Sequence, residues 1–260
     1  MTEIQVRNLS CGYNGKVVIN NISFNVKSGE ICCILGPNGA GKTTLFKTML
    51  QIMQPLSGSV CINGENITKW SPKKISGYLA YVSQYHVPPF PYIVEDVIML
   101  GRISSTGYFG KPTKQDYNIV NETMNLMGIS YLKEKAYTDI SGGERQLVMI
   151  ARAMAQQPDF LILDEPTASL DYGNTLKVLR EIKRLQQQGY GIIMTTHSPD
   201  QAFLCNSNVV LLSKEYPPVF GTAAEVINNR NLRNAYGEDI RVVQFKGRKG
   251  GMVRVCAPEL

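Results

Sequence analysis

The stretch Gly36-Pro37-Asn38-Gly39-Ala40-Gly41-Lys42-Thr43 decides the fold. It has the form G-x-x-x-x-G-K-[ST] and follows the apolar run Ile31-Cys32-Cys33-Ile34-Leu35. It leads into Thr44-Leu45-Phe46-Lys47-Thr48-Met49-Leu50, which reads as a helix. Strand, glycine-rich loop and helix in that order make a phosphate-binding loop. Glycines let the backbone curl until several N–H groups point inward at phosphate oxygens, and the helix N-terminus adds partial positive charge. Lys42 is then suited to reach the β- and γ-phosphates of a nucleoside triphosphate, and the Thr43 hydroxyl to ligate Mg2+.

Asp159-Phe160-Leu161-Ile162-Leu163-Asp164-Glu165 is a short apolar run that ends in two carboxylates. Such a run reads as a buried parallel strand, whose C-terminal end is where open α/β sheets place ligands. Asp164 suits Mg2+, directly or through water, and Glu165 suits the polarising of an attacking water. Two solvated acids at a strand end would look the same in isolation. Beside a phosphate loop they read as chemistry.

Ser141-Gly142-Gly143-Glu144-Arg145-Gln146 opens Leu147 to Ala155, a second segment of helical character whose N-terminus can accept an anion. With the loop and the carboxylate pair, it closely resembles the nucleotide-binding subunit of ATP-binding cassette (ABC) transporters. The resemblance covers nearly the whole chain, and the motifs fall in the family's order: an aromatic, the loop, a glutamine, SGG, the carboxylates, Ser169-Leu170-Asp171 and a histidine. Ile140 stands where the family usually has leucine, a conservative departure.

The resemblance implies a set of roles. Residues Gly36, Pro37, Asn38, Gly39, Ala40, Gly41, Lys42, Thr43 and Thr44 would hold ATP, with the flat face of Tyr13 stacked on adenine. Thr43, Asp164 and Gln84 would serve Mg2+, and Gln84 would also lead to the transmembrane contact. Glu165, His197, Lys42 and Gln84 would carry catalysis, His197 at the γ-phosphate. Ser141, Gly142 and Gly143 of one copy would close over ATP held by the other, with Asp171 touching the facing subunit. The implied assembly is a head-to-tail homodimer with two copies of a multi-span permease and an extracytoplasmic substrate-binding protein, peripheral on the cytoplasmic face of the membrane. No nucleic acid is expected.

The segment Met99-Leu100-Gly101-Arg102-Ile103-Ser104, with Gly107, Phe109-Gly110, Pro112 and Asp116, is similar to subunits of metal-chelate importers. So is His197-Ser198-Pro199-Asp200-Gln201-Ala202. That subgroup takes up iron–siderophore complexes, haem and cobalamin, and a related branch takes molybdate or tungstate. A soluble protein of the same family acting on ribosomes or nucleic acid is the alternative, as is an exporter subunit. Soluble relatives usually carry two cassettes or coiled-coil inserts, which this sequence lacks.

The 260 residues are 43% hydrophobic and 18% charged, the composition of a globular protein large enough for one core plus a subdomain. The net charge of +6 comes from scattered basic residues, with one local cluster at Lys246, Arg248 and Lys249. The cysteines (Cys11, Cys32, Cys33, Cys61, Cys205 and Cys256) show no metal-ligand spacing, and Cys32 and Cys33 read as apolar filler. Met1 to Gln5 lacks the basic and apolar pattern of a signal peptide, and Ile75 to Val94 is broken by Pro88, Pro89 and Pro91.

Patterning gives an α/β fold: a P-loop NTPase core with a mainly parallel sheet, an N-terminal antiparallel β subdomain and an inserted α-helical subdomain. Strands are expected at Val17–Val26, Ser59–Ile62, Leu79–Val82, Phe160–Leu163 and Gly191–Thr195, with turns at Ser28-Gly29 and Asn63-Gly64. Residues 1–84 and 158–260 are expected to form the catalytic core of one ATPase domain, and 85–157 the helical insert with SGG. Ile119, Thr123, Leu126 and Met127 share one helical face, and Val178, Leu179, Ile182 and Leu185 form another stripe. The tail from Gly221 reads as short helices followed by strands Arg241–Phe245 and Met252–Val255, too short for the regulatory domain of sugar importers.

Overall fold

The computed structural model describes residues 1–84, 91–103, 110–247 and 250–258. Pro88, Pro89, Ser104, Gly107, Phe109, Arg248 and Lys249, singled out above, lie outside these. The chain divides into two compact units, one of Met1–Lys69 with Ile193–Leu260 and one of Trp70–Ile192.

In the first unit, β1 (Glu3–Tyr13) and β2 (Lys16–Lys27) form an antiparallel hairpin closed by the two-residue turn Asn14-Gly15. Tyr13 pairs with Lys16 and so stands at the hairpin's tip. β4 (Ser57–Ile62) adds to β1, and β5 (Glu65–Asn66) returns along β4 after the Asn63-Gly64 turn, in the order β2-β1-β4-β5. Along β2 the period of two is plain: Ile22, Phe24 and Val26 are buried while Ser23, Asn25 and Lys27 are exposed.

The same unit holds β3 (Ile31–Leu35), buried at every residue, the non-alternating pattern of a strand covered on both faces. Burial pushes the Cys32 thiol up to about 12, so it packs as an apolar group. β9 (Asn208–Leu211) runs parallel to β3, β10 (Val219–Thr222) runs antiparallel to β9, and β8 (Gly191–Thr196) flanks β3 on its other side. Helices α1 (Lys42–Met49), α7 (Pro199–Cys205), α8 (Ala223–Val226) and α9 (Asn229–Tyr236) connect them. The tail ends in the antiparallel hairpin of β11 (Ile240–Lys246) and β12 (Met252–Pro258), which contains both expected strands.

The second unit contains α2 (Pro72–Ser76), β6 (Leu79–Val82), α3 (Val94–Met99), α4 (Lys114–Leu126), α5 (Gly142–Met154), β7 (Phe160–Leu163) and α6 (Tyr172–Gln187). β6 and β7 are parallel, Leu79 opposite Phe160 and Val82 opposite Leu163. On α6 the stripe Val178, Leu179, Ile182 and Leu185 is buried as its spacing requires, each side chain contributing about 1.5–3 kcal/mol.

On α4 the expected face is buried at Ile119, Thr123 and Met127, with Leu126 half-buried, and Val120 and Met124 widen it. Asp116 is drawn inward as well. Its Oδ1 accepts from Arg102 Nε at 2.9 Å, and its Oδ2 accepts from the backbone N–H and hydroxyl of Thr113 at 2.8 and 2.7 Å. Arg102 also donates to the carbonyl of Ala155 at 2.7 Å, which ties α4 to the end of α5. The α/β class expected from the sequence, antiparallel sheet first and then parallel strands with a helical region, is the class observed.

Candidate functional site

The first unit holds the phosphate loop. β3 delivers the chain to Gly36, and α1 begins at Lys42 behind Gly41, a cap with no side chain. Gly41 has φ 100°, and a Cβ there would lie 2.7 Å from Ile19 Cγ1 and 2.9 Å from Val18 Cγ1. Both the left-handed backbone and the space therefore demand glycine. Lys42 is 7% exposed, and its ammonium donates to the carbonyls of Gly36 at 2.8 Å and Pro37 at 3.4 Å. The cation thus lies folded over the loop, with weak neutral acceptors that an anionic phosphate would outcompete.

Tyr13 reaches the same place from the hairpin tip. The Thr44 hydroxyl in the first turn of α1 donates to Tyr13 Oη at 3.4 Å, and 46% of the tyrosine remains exposed. A flat face beside a phosphate cradle can take a planar base. His197 follows the last residue of β8, beside β3 in the sheet, and is exposed.

The second unit holds the carboxylates. Asp164 and Glu165 follow β7, and the Asp164 N–H donates to the carbonyl of Val82 at 2.9 Å. Asp164 is 5% exposed and its Oδ2 accepts from Tyr81 Oη at 3.1 Å. Burial and the neighbouring Asp164 charge push the Tyr81 phenol up, so it stays a proton donor to the carboxylate. Glu165 sits at φ 48°, a left-handed conformation that costs a non-glycine residue about 1 kcal/mol or more. Gln84 Nε2 donates to Glu165 Oε2 at 3.0 Å.

Ser141 caps the 13-residue helix α5. Its Oγ accepts from the Glu144 N–H at 3.3 Å, and Glu144 Oε2 accepts from the Ser141 N–H at 2.8 Å. The box leaves Gly142 and Gly143 as the first-turn amides aimed out of the helix. Tyr131 Oη donates to Glu144 Oε1 at 2.9 Å and steadies the box. A Cβ on Gly143 would lie 2.9 Å from the Asn174 side chain, so α5 starts hard against α6. Asn174 in turn donates through its backbone N–H to Asp171 Oδ1 at 2.8 Å and through Nδ2 to Oδ2 at 2.6 Å. These bonds, the backbone one foremost, hold the Asp171 carboxyl below its usual range.

The structure thus groups Tyr13, the loop 36–44 and His197 in one unit, and Gln84, Ser141 to Gly143, Asp164, Glu165 and Asp171 in the other. Three supporting residues were not singled out by motif reading. Tyr81 emerges only once β6 and β7 are paired, where it faces Ile162 and Asp164 lies two residues further along the same face. Glu144 was accessible from the S-x-x-E spacing. Asn174 carries no signal beyond following a capping aspartate.

A family model described as ABC transporter matches residues 19–168. The chain belongs to the ABC transporter ATP-binding family, and it is an ATPase of that kind. An uncharacterised ABC transporter ATP-binding protein of Haemophilus influenzae is 39% identical over 233 residues, 90% of this chain and 89% of that one. The iron(3+)-hydroxamate import ATP-binding protein FhuC of Bacillus subtilis is 32% identical over 244 residues, 94% of this chain and 91% of its own. A solved metal-chelate type ABC transporter in an inward-facing conformation matches with TM-score 0.89 at 27% identity, over 100% of this chain and 98% of that chain.

Among the described residues no helix is long and apolar enough to cross a membrane. Nor do three His, Cys, Asp or Glu side chains cluster there in a way that could hold a metal ion. A buried carboxylate such as Asp164 is a hard oxygen donor of the kind that suits Mg2+, an ion that keeps few protein ligands.

Proposed function

We propose that this chain is the ATP-hydrolysing subunit of a membrane importer for a metal chelate, such as an iron–siderophore complex, haem or cobalamin, or for an oxyanion such as molybdate. The observation that carries the ATP chemistry is Lys42, stowed on the Gly36 and Pro37 carbonyls at the mouth of a glycine-built cradle. The importer reading is supported by the likeness to an iron(3+)-hydroxamate import protein and to a metal-chelate type transporter.

In this reading the backbone of Gly36 to Gly41, with Pro37, Asn38, Gly39 and Ala40, wraps the phosphates, Lys42 neutralises them, and Thr43 and Thr44 donate from the first turn of α1. Tyr13 stacks on the base. Thr43, Asp164 and Gln84 would hold Mg2+, which when bound supplies positive charge to the β- and γ-phosphates. Glu165 orients a water and takes its proton, Gln84 holds Glu165 in place, and His197 donates to the γ-phosphate.

Two copies act head to tail. Ser141, Gly142 and Gly143 of each donate to the γ-phosphate on the other, and Asp171 touches the facing copy. ATP closes the pair and hydrolysis releases it, which drives a permease dimer between its two states with cargo delivered by an extracytoplasmic binding protein. Residues 85–157 act as the helical insert of one ATPase domain, and the chain works on the cytoplasmic face of the membrane, without nucleic acid.

Light scattering of Glu165→Gln tests the closure. The variant should be monomeric at 28.9 kDa without nucleotide and dimeric with ATP and Mg2+. A variant that binds ATP and stays monomeric at high protein concentration contradicts the shared site.

A further inference from the structure

The tail beyond Gly221 has no part in the chemistry above, yet one of its side chains touches two of the loops that do. Tyr236 is the last residue of α9, which stops at Gly237 in a left-handed C-cap. Its hydroxyl donates to the backbone carbonyl of His197 at 3.4 Å and faces the backbone N–H of Gly36, the first residue of the phosphate loop.

The surroundings hold both ends of this bridge. The carbonyl of Asn234 on α9 accepts from Ser213 Oγ at 3.1 Å, just past β9, and Leu232 and Ala235 are buried. On the histidine side, Thr196 Oγ1 accepts from the Ser198 N–H at 3.1 Å and donates to Gln201 Oε1 at 2.9 Å. Asp200 Oδ1 accepts from the Cys256 N–H of β12 at 2.8 Å. The segment Thr196 to Gln201 is therefore fixed before and after His197, and the tail fixes it twice, through Tyr236 and through Cys256. Burial, the largest cause, pushes the Tyr236 phenol up to about 12, so it keeps its proton at neutral pH.

We propose that Tyr236 is a positioning residue, whose hydroxyl sets the backbone of His197 against Gly36 and so aligns the histidine with the phosphates that the loop holds. The tail is then part of the catalytic apparatus rather than an appendage. The inference rests on the reading of His197 and the loop given above. Phenylalanine at this position keeps the ring and removes the bond to His197.

The test compares the full wild-type chain with Tyr236→Phe. Three quantities are read: ATP turnover, KM for ATP, and the imidazole resonances of His197 by NMR, in a sequence with only two histidines, His86 and His197. The expected result is kcat lower by about fivefold, the equivalent of one ordinary hydrogen bond, with KM changed less than about twofold. The His197 resonances move and those of His86 stay. Unmoved His197 resonances overturn the inference. So does a shift of both histidines with a fall in melting temperature, which marks general loosening. If wild-type protein hydrolyses no ATP, the functional reading fails while the resonances still decide the role of Tyr236.

Discussion

Gln84 donates its side-chain N–H to Glu165 at 3.0 Å, so the glutamine after β6 holds the carboxylate after β7. Together with the left-handed backbone at Glu165 (φ 48°), this bond fixes the direction of the carboxylate. Glu165→Gln should cut turnover by at least about 100-fold with ATP affinity retained. Gln84→Ala should cost about tenfold in kcat, again with little change in affinity. Nucleotide binding by fluorescence and phosphate release by colorimetry separate the two parameters. Loss of affinity in either variant would move these residues from the chemical step to ground-state binding.

Tyr13 stands at the tip of a hairpin with its hydroxyl held by Thr44 on α1. Tyr13→Ala should weaken ATP binding by about tenfold, the loss of one aromatic stack, and leave kcat at saturating ATP nearly unchanged. Tyr13→Phe should bind almost as wild type does. Equilibrium titration with ATP checks both, and an unaffected alanine variant removes Tyr13 from the site.

Gly41 closes the phosphate loop at φ 100° against Ile19 and Val18. Gly41→Ala forces a Cβ into both, so the loop must open or β2 must shift. The variant should lose measurable ATP binding and melt several degrees lower, because strain and overpacking each cost about 1–3 kcal/mol. Calorimetric melting with and without ATP reads both effects, and wild-type stabilisation by ATP in this variant would contradict them.

The Arg102–Asp116 pair gives a pH prediction. Hydrogen bonds from Thr113, then from Arg102, lower the Asp116 carboxyl to about 2. A carboxylate whose folded value lies below its unfolded value of about 3.9 adds stability above that value. The contribution is lost as pH falls through the folded value. Asp116→Asn should therefore melt lower than wild type from pH 8 to 5, and the gap should narrow below about pH 4. A gap that stays constant to pH 3 would show that the charge of Asp116 is irrelevant. Asp116→Ala leaves a buried guanidinium without its partner and should cost about 3 kcal/mol or more.

The phosphate loop and the strands around it were legible because each is a local pattern of residue types, as is the stripe on α6. The carboxylate pair, in contrast, reads as chemistry only beside that loop. On α4 the apolar face was legible, but the pattern of apolar residues alone cannot show that Asp116 also turns inward, toward an arginine 14 residues earlier in the chain. That pair clamps the helical region, since Arg102 also donates to the carbonyl of Ala155. Contacts across long separations were invisible in the sequence, as with Tyr81 and Asp164 or Tyr236 and His197. No spacing rule links residues that only the fold brings together.

The most direct test of the central claim is mild-detergent purification of the tagged chain from its own membranes, with mass spectrometry of what accompanies it. The account predicts a stoichiometric multi-span permease, released from the complex when the chain is stripped away. Ribosomal proteins or nucleic acid, with no permease, would contradict it and leave an ATPase that works away from the membrane.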